Sequence, residues 1–167
     1  MASNIHLKLD GIKGDAQTKG FEDCMEIFNW SWGVSFPANY HTTTGGAASG
    51  KSSVSDIQVS KPYDKASTNL LQFCATGKRI PTAVLTCTKA DGEDADKFIK
   101  YYTVTLTNVL ISNYSIAGSD DLQESFALHF QQYEVVPFSQ DNKGLAVAGA
   151  SQKFNIQTNS ATNLVKA

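Results

Sequence analysis

The segment from Leu122 to Val136 sets the terms for any fold of this chain. Phe126, Leu128 and Phe130 recur at every second position there, the period of a β-strand with one buried face. The same period returns along the chain. Ile5, Leu7 and Leu9 alternate with His6, Lys8 and Asp10 before Gly11 and Gly14 break the run. Between Thr82 and Lys89, Ala83, Leu85 and Cys87 oppose Val84, Thr86 and Thr88. Met25 to Ser35 puts Phe28, Trp30, Trp32 and Val34 on one face. Val54 to Val59, Phe98 to Leu106, Val109 to Ile116, and a short run around Phe154 and Ile156 complete the set. About eight strands at hairpin-like spacing predict a sandwich or barrel. One segment leaves the period: from Asp64 to Cys74, Ala66, Leu70 and Cys74 recur four apart. That spacing predicts one helix, N-capped by Asp64 and closed by Gly77, its apolar stripe on the barrel or over its open end. Pro37 to Lys51 and Ser139 to Gln152 read as long polar loops.

A chain of 167 residues, 41% hydrophobic and 18% charged, is expected to form one domain over residues 1–167 with its own core. The formal net charge of -2 supplies no basic surplus for a nucleic-acid partner or an anionic membrane. No apolar run approaches the roughly 20 residues of a membrane helix, so no membrane insertion is expected. The alternating start, Met1 to Asp10, lacks the continuous apolar core of a secretory signal. Cytosolic synthesis and folding are therefore expected. Cys24, Cys74 and Cys87 are odd in number and form no Cys-x-x-Cys pair, which predicts reduced core thiols.

Few motifs carry chemistry. Gly45-Gly-Ala-Ala-Ser-Gly50-Lys51-Ser52 fits the phosphate-binding pattern letter for letter. That chemistry needs a buried strand before the loop and a helix after it, whose amides hold the phosphates. Here Tyr40 to Thr44 is not an apolar strand, and Ser53 to Val59 reads as a strand, so no nucleotide binding is expected. His6, His41 and His129 lie far apart, with no ligand at metal spacing. Neither Cys24 nor Cys74 has the local signature of a nucleophile. Asp120-Asp121 and Glu93-Asp94 read as solvated turns, and Trp30 with Trp32 as core aromatics. Glu124 shares a face with Phe126 and Phe130, which suggests an interface or a sheet end. No catalytic set, cofactor or metal is predicted, and so no enzyme.

The order of these segments resembles the haemolysin-coregulated protein (Hcp) family, the tube proteins of bacterial type VI secretion systems. The resemblance runs through Leu7 to Gly14, Asn29-Trp-Ser-Trp-Gly-Val-Ser35, the glycine-rich loop, Ser55-Asp-Ile57 and Lys61-Pro-Tyr-Asp-Lys-Ala-Ser67. It continues through Leu70-Leu71, Cys74-Ala-Thr-Gly-Lys78, Val109 to Ser112, Tyr114-Ser115, Gly118-Ser119, Glu124-Ser125, Leu128 and Phe130. At Asn113-Tyr114 and Asp120-Asp121 this chain carries larger or charged residues where the family is expected to be small or glycine-rich. The resemblance implies a two-sheet β-barrel with one helix beside it, as a single tube-subunit domain. It implies a homo-hexameric ring, rings stacked on one another, sheath and spike partners, and effector proteins carried in the lumen. It implies export through the type VI system without a signal peptide. Ala117, Gly118 and Ser119 match the turn facing the lumen and its effectors. Tyr40, His41, Thr43, Gly45, Gly46, Gly50 and Lys51 fall in the loop expected to contact the next ring. Some tube proteins carry a C-terminal effector domain; none is expected after the last strand here. The alternative from the residues alone is a small monomeric β-barrel that binds a ligand in its mouth.

Overall fold

A computed structural model describes residues 3–37, 50–90, 98–118, 120–141 and 144–164. The strands are β1 (Ser3–Leu9), β2 (Met25–Ile27), β3 (Asn29–Ser31), β4 (Val34–Ser35), β5 (Ser53–Val54) and β6 (Ile57–Pro62). After helix α1 (Ser67–Thr76) come β7 (Ile80–Ala90), β8 (Phe98–Gly118), β9 (Leu122–Gln140), β10 (Ala146–Ala148), β11 (Ser151–Asn155) and β12 (Ser160–Leu164). The architecture is mainly β and barrel-like with one helix among the described residues. One antiparallel ten-stranded sheet holds most strands, in the order β12-β11-β9-β8-β7-β1-β2, and β4 pairs β5 separately.

The long hairpin β8–β9 is the spine. On its other edge β9 carries β6 along Gln123 to Leu128, then β11 along Gln132 to Val135. β3 pairs β6, while β2 pairs β1. The ladder is not closed. The chain itself crosses the gap at Phe28, whose N–H donates to the Ser60 carbonyl at 2.9 Å. The single strand expected over Met25 to Ser35 is therefore three short ones, because its halves serve different margins of the curled sheet. Trp30 and Trp32 pack on the core as expected, Trp32 edge-on to Tyr133 at 4.7 Å. Phe28 and Val34 turn outward instead.

Two strands expected over Phe98 to Ile116 are one. Asn108 breaks the alternation in sequence, and the structure absorbs it with a left-handed residue (φ 53) and a register shift between Ile111 and Asn113. The helix begins two residues later than expected, with Ala66 in place of Asp64 at the N-cap. Asp64 still organises its start: its Oδ1 accepts the Ala66 N–H at 2.9 Å, and its own N–H donates to Ser67 Oγ at 3.0 Å. Gly77 closes the helix in the left-handed region, φ 62, as expected. Gly14 is required for a different reason: a Cβ there would lie 2.3 Å from the Cys24 carbonyl oxygen.

The sheet wraps one core. Leu7, Leu9 and Met25 meet Leu85, Val104, Phe126 and Leu128, with Leu70 of α1 packed beside them. Cys24 and Cys87 are buried and Cys74 half-buried, all as free thiols. Burial pushes the Cys24 and Cys87 thiols up, away from the reactive thiolate form.

Candidate functional site

The sheet segment β6–β9–β8 presents two faces with opposite chemistry, set by the period of two. On the inner face, Ile57 and Val59 are followed in phase by Lys61, and Glu124 is followed in phase by Phe126 and Leu128. The register places Lys61 directly opposite Glu124. Both side chains are 0% exposed. Lys61 Nζ lies 2.5 Å from Glu124 Oε1 and 2.7 Å from Asp64 Oδ1, and donates to the Pro62 carbonyl at 2.8 Å. Lys61 thus donates two hydrogen bonds, to Asp64 and Pro62, and meets Glu124 Oε1 as a charge contact outside hydrogen-bond geometry. The Tyr114 hydroxyl donates to Glu124 Oε2 at 2.6 Å. Desolvation, reinforced by that carboxylate, raises the Tyr114 pKa and keeps the hydroxyl protonated. The cluster bolts β6, β8, β9 and the start of α1 together. It is a structural centre whose Lys61 and Glu124 side chains are closed to solvent.

On the outer face, Gln123, Ser125, His129 and Gln131 follow one another along β9. Ser115 Oγ and Ser125 Oγ are 2.8 Å apart. His129 Nδ1 meets Asp56 Oδ1 at 2.7 Å, and Ser112 Oγ donates to Asp56 Oδ2 at 2.5 Å. Asn108 Nδ2 donates to Gln131 Oε1, and Gln131 Nε2 to Gln157 Oε1, both at 2.5 Å. The Ser–Asp–His grouping has the residues of a hydrolase but the wrong wiring. The hydroxyl donates to the carboxylate and shares itself with the Ala127 carbonyl at 3.4 Å, so the imidazole is not placed to take its proton. Among the described residues no three His, Cys, Asp or Glu side chains are grouped to hold a metal.

The sequence-derived site residues fall in several places. Ala117 and Gly118 are exposed at the end of β8, opposite Gln123 and Leu122, and Ser119 lies outside the described residues. Ala117 thus borders the polar outer face. Of the expected stacking loop, Tyr40, His41, Thr43, Gly45 and Gly46 lie outside the described residues. Gly50 (φ 127) and Lys51 are exposed and lead into strand β5, not a helix, which is the context the sequence suggested for the phosphate-loop lookalike. Glu124 lies at a sheet end, the third residue of β9, as one of the two sequence readings had it, and there it is the buried partner of Lys61. That pair escaped the sequence reading, although its signal was present: two opposite charges, each in phase with a buried run. His6 is buried as well, stacked on Phe21 at 4.3 Å with its Nδ1 unpartnered.

The class these observations define is a β-sheet body with a buried charge cluster on one face of its central strands, a polar network on the other, and a scatter of exposed apolar side chains. The comparisons with known proteins agree. The family model for "Type VI secretion system effector, Hcp" matches residues 6–136. Protein hcp1 of Pseudomonas aeruginosa is 37% identical over 138 residues, covering 81% of this chain and 83% of that protein. A solved type six secretion system protein shares the fold at TM-score 0.86, with 24% identity, over 96% of this chain and 100% of that one. Hcp1 from Salmonella typhimurium aligns at TM-score 0.74 and 25% identity, over 97% and 100%. The chain belongs to the Hcp family and is a tube protein of the type VI secretion machinery. No helix among the described residues is long and apolar enough to cross a membrane.

Proposed function

We propose that residues 1–167 form one tube-subunit domain that closes into hexameric rings, which stack into the inner tube and carry effectors in the lumen. The observation that carries this reading is the family match over residues 6–136. Two features of the surface support it. Phe28, Phe36, Leu71, Ile116, Leu122 and Leu145 are each at least 49% exposed, apolar surface that neighbouring copies would cover. The outer face of β9 supplies a wall of small and neutral polar groups, in which the Asp56 carboxylate is held by His129 and Ser112. Such a wall suits a conduit, because it solvates a passing protein without gripping it. Ala117 to Ser119 sit at its margin in this arrangement, and residues 40–51 contact the next ring. Sheath and spike proteins are the outer partners, and the subunit leaves the cell through the type VI system itself. The role is structural, not catalytic. The rival ligand-binding barrel needs an internal pocket, but that space is filled by Leu7, Met25, Phe126 and Leu128. Light scattering and electron microscopy of the purified protein test the reading. Six chain masses and rings are expected; a stable monomer at micromolar concentration overturns it.

A further inference from the structure

On the polar outer face the carboxylate of Asp56 is already taken up by Ser112 and His129. One exposed cation there is not. Arg79 stands at the level of Leu110, because the next residue, Ile80, pairs Val109. Its side chain lines a cleft of about 360 Å³. The polar part of that cleft is Asn108, His129, Gln131 and Gln157, and its apolar part includes Leu110 and Ile156. Ligand clefts begin at roughly 300 Å³, so this one has room for a side chain or two of a partner. Among the described residues no carboxylate lies within ion-pair distance of Arg79.

The amides beside it are ordered by the fold. Asn108 lies in mid-strand at φ 53, a region that favours glycine because it has no Cβ to clash. Asparagine stands there instead, and its side chain is used. Its Nδ2 donates to Gln131 Oε1, and Gln131 Nε2 donates to Gln157 Oε1. This relay engages the amide oxygens of both glutamines. The Gln157 amide N–H groups have no acceptor among the described residues, and they belong to the same cleft as the Arg79 guanidinium. Of the three amide oxygens only Asn108 Oδ1 is left over. The cleft is therefore rich in donors and carries one unpaired positive charge.

A formal net charge of -2 gives the chain no general attraction for acid, so any hold on an acidic group must be local. The planar guanidinium fork matches the two oxygens of a carboxylate, and Leu110 and Ile156 offer apolar contact to its stem. We infer that this cleft takes the acidic side chains of a cargo protein. This rests on the lumen reading above and names the chemistry by which the face retains its cargo. Each cleft is one weak foothold on an otherwise neutral wall. Repeated around the ring, the footholds hold a cargo with several acidic groups and still release it, because avidity adds single contacts that each break readily. A phosphate chain is the poorer fit, since nucleic-acid grooves carry runs of basic residues and here one cation stands among neutral amides.

Peptide titration of the full chain tests the site. A fluorescent, end-capped Glu-rich peptide should bind about tenfold more tightly than its Gln-rich counterpart, read by anisotropy. Arg79→Gln should lose that preference, and Arg79→Lys, which keeps the charge without the fork, should recover part of it. Asn108→Gly suits the left-handed backbone and removes the first amide of the relay, so it should weaken binding about threefold while circular dichroism stays unchanged. These two variants carry the test if Arg79→Gln does not fold. No preference for the Glu-rich peptide, or an unchanged preference in Arg79→Gln, overturns the site. So does an oligonucleotide that binds as tightly as the Glu-rich peptide. Rings that fall apart in a folded Arg79→Gln protein also overturn it, because the cleft is then an interface between copies. A wild-type monomer that still prefers the Glu-rich peptide defeats the ring reading and upholds the cleft, whose walls all come from one chain.

Discussion

Lys61 with Glu124 is an ion pair, and His129 with Asp56 a hydrogen-bonded pair, on opposite faces of the same strands. The inner pair is 0% exposed on both sides, whereas the His129 side chain is 61% exposed and Asp56 27%. Distances of 2.5 Å and 2.7 Å are nearly equal, so geometry alone does not rank them. Desolvation does. A buried charge whose partner is removed has no water to turn to, while an exposed one is rehydrated at once. The inner cluster is therefore a place where the fold is unforgiving, and the outer one a place where the surface can change without unfolding.

The largest effect expected from this contrast is at Lys61. Lys61→Met leaves Glu124 and Asp64 facing each other without their cation, and should cost about 3–5 kcal/mol in urea unfolding. Adding Glu124→Leu should recover part of that loss, because the orphaned charge goes too. A loss below about 1 kcal/mol for Lys61→Met would erase the distinction between the faces.

His6 sharpens the comparison, because it is buried and no cation or acid among the described residues is bonded to it. Desolvation lowers its pKa below the ordinary 6.5, and Glu26 across the β1–β2 ladder opposes this with a smaller upward pull. The unfolded chain then binds a proton at a pH where the folded one does not. Stability should be full above about pH 6.5 and fall as the pH drops from there through the lowered value. Denaturant midpoints between pH 7.5 and 5 measure this, and His6→Gln should flatten the slope. Asp15, Glu22 and Asp23, each held low by hydrogen bonds, act only at more acid pH. A wild-type profile as flat as that of His6→Gln over this window would rule the effect out.

The smallest effect is expected at the outer pair. Asp56→Asn keeps hydrogen bonds to Ser112 and His129 and removes one partly solvated charge, so stability should change by about 1 kcal/mol or less. A loss matching that of Lys61→Met would show that the outer face is buried in the assembled protein or contributes to folding.

The strands of the core were legible because alternation is local: Ile5 to Leu9, Thr82 to Lys89 and Phe126 to Phe130 each declare a face without help. The helix was legible for the same reason, and so was its closing residue, Gly77. Its opening was not, because Asp64 serves Lys61 and Ala66 at once and so sits outside the helix. The division of Met25 to Ser35 was also invisible. Nothing in its aromatic spacing says that β2 will pair β1 while β3 pairs β6.

What the sequence determined by itself was the β class, the helix closed by Gly77 and the family, since periods, caps and motif order are written within short windows. What only the tertiary structure decided was which charges would be buried together and which chain margins would meet. Lys61 and Glu124 are 63 positions apart and become neighbours through the β6–β9 register. Asp56, Ser112 and His129 come from three segments and meet on one exposed face. Desolvation and charge pairing depend on distances through space, and the sequence lists only distances along the chain.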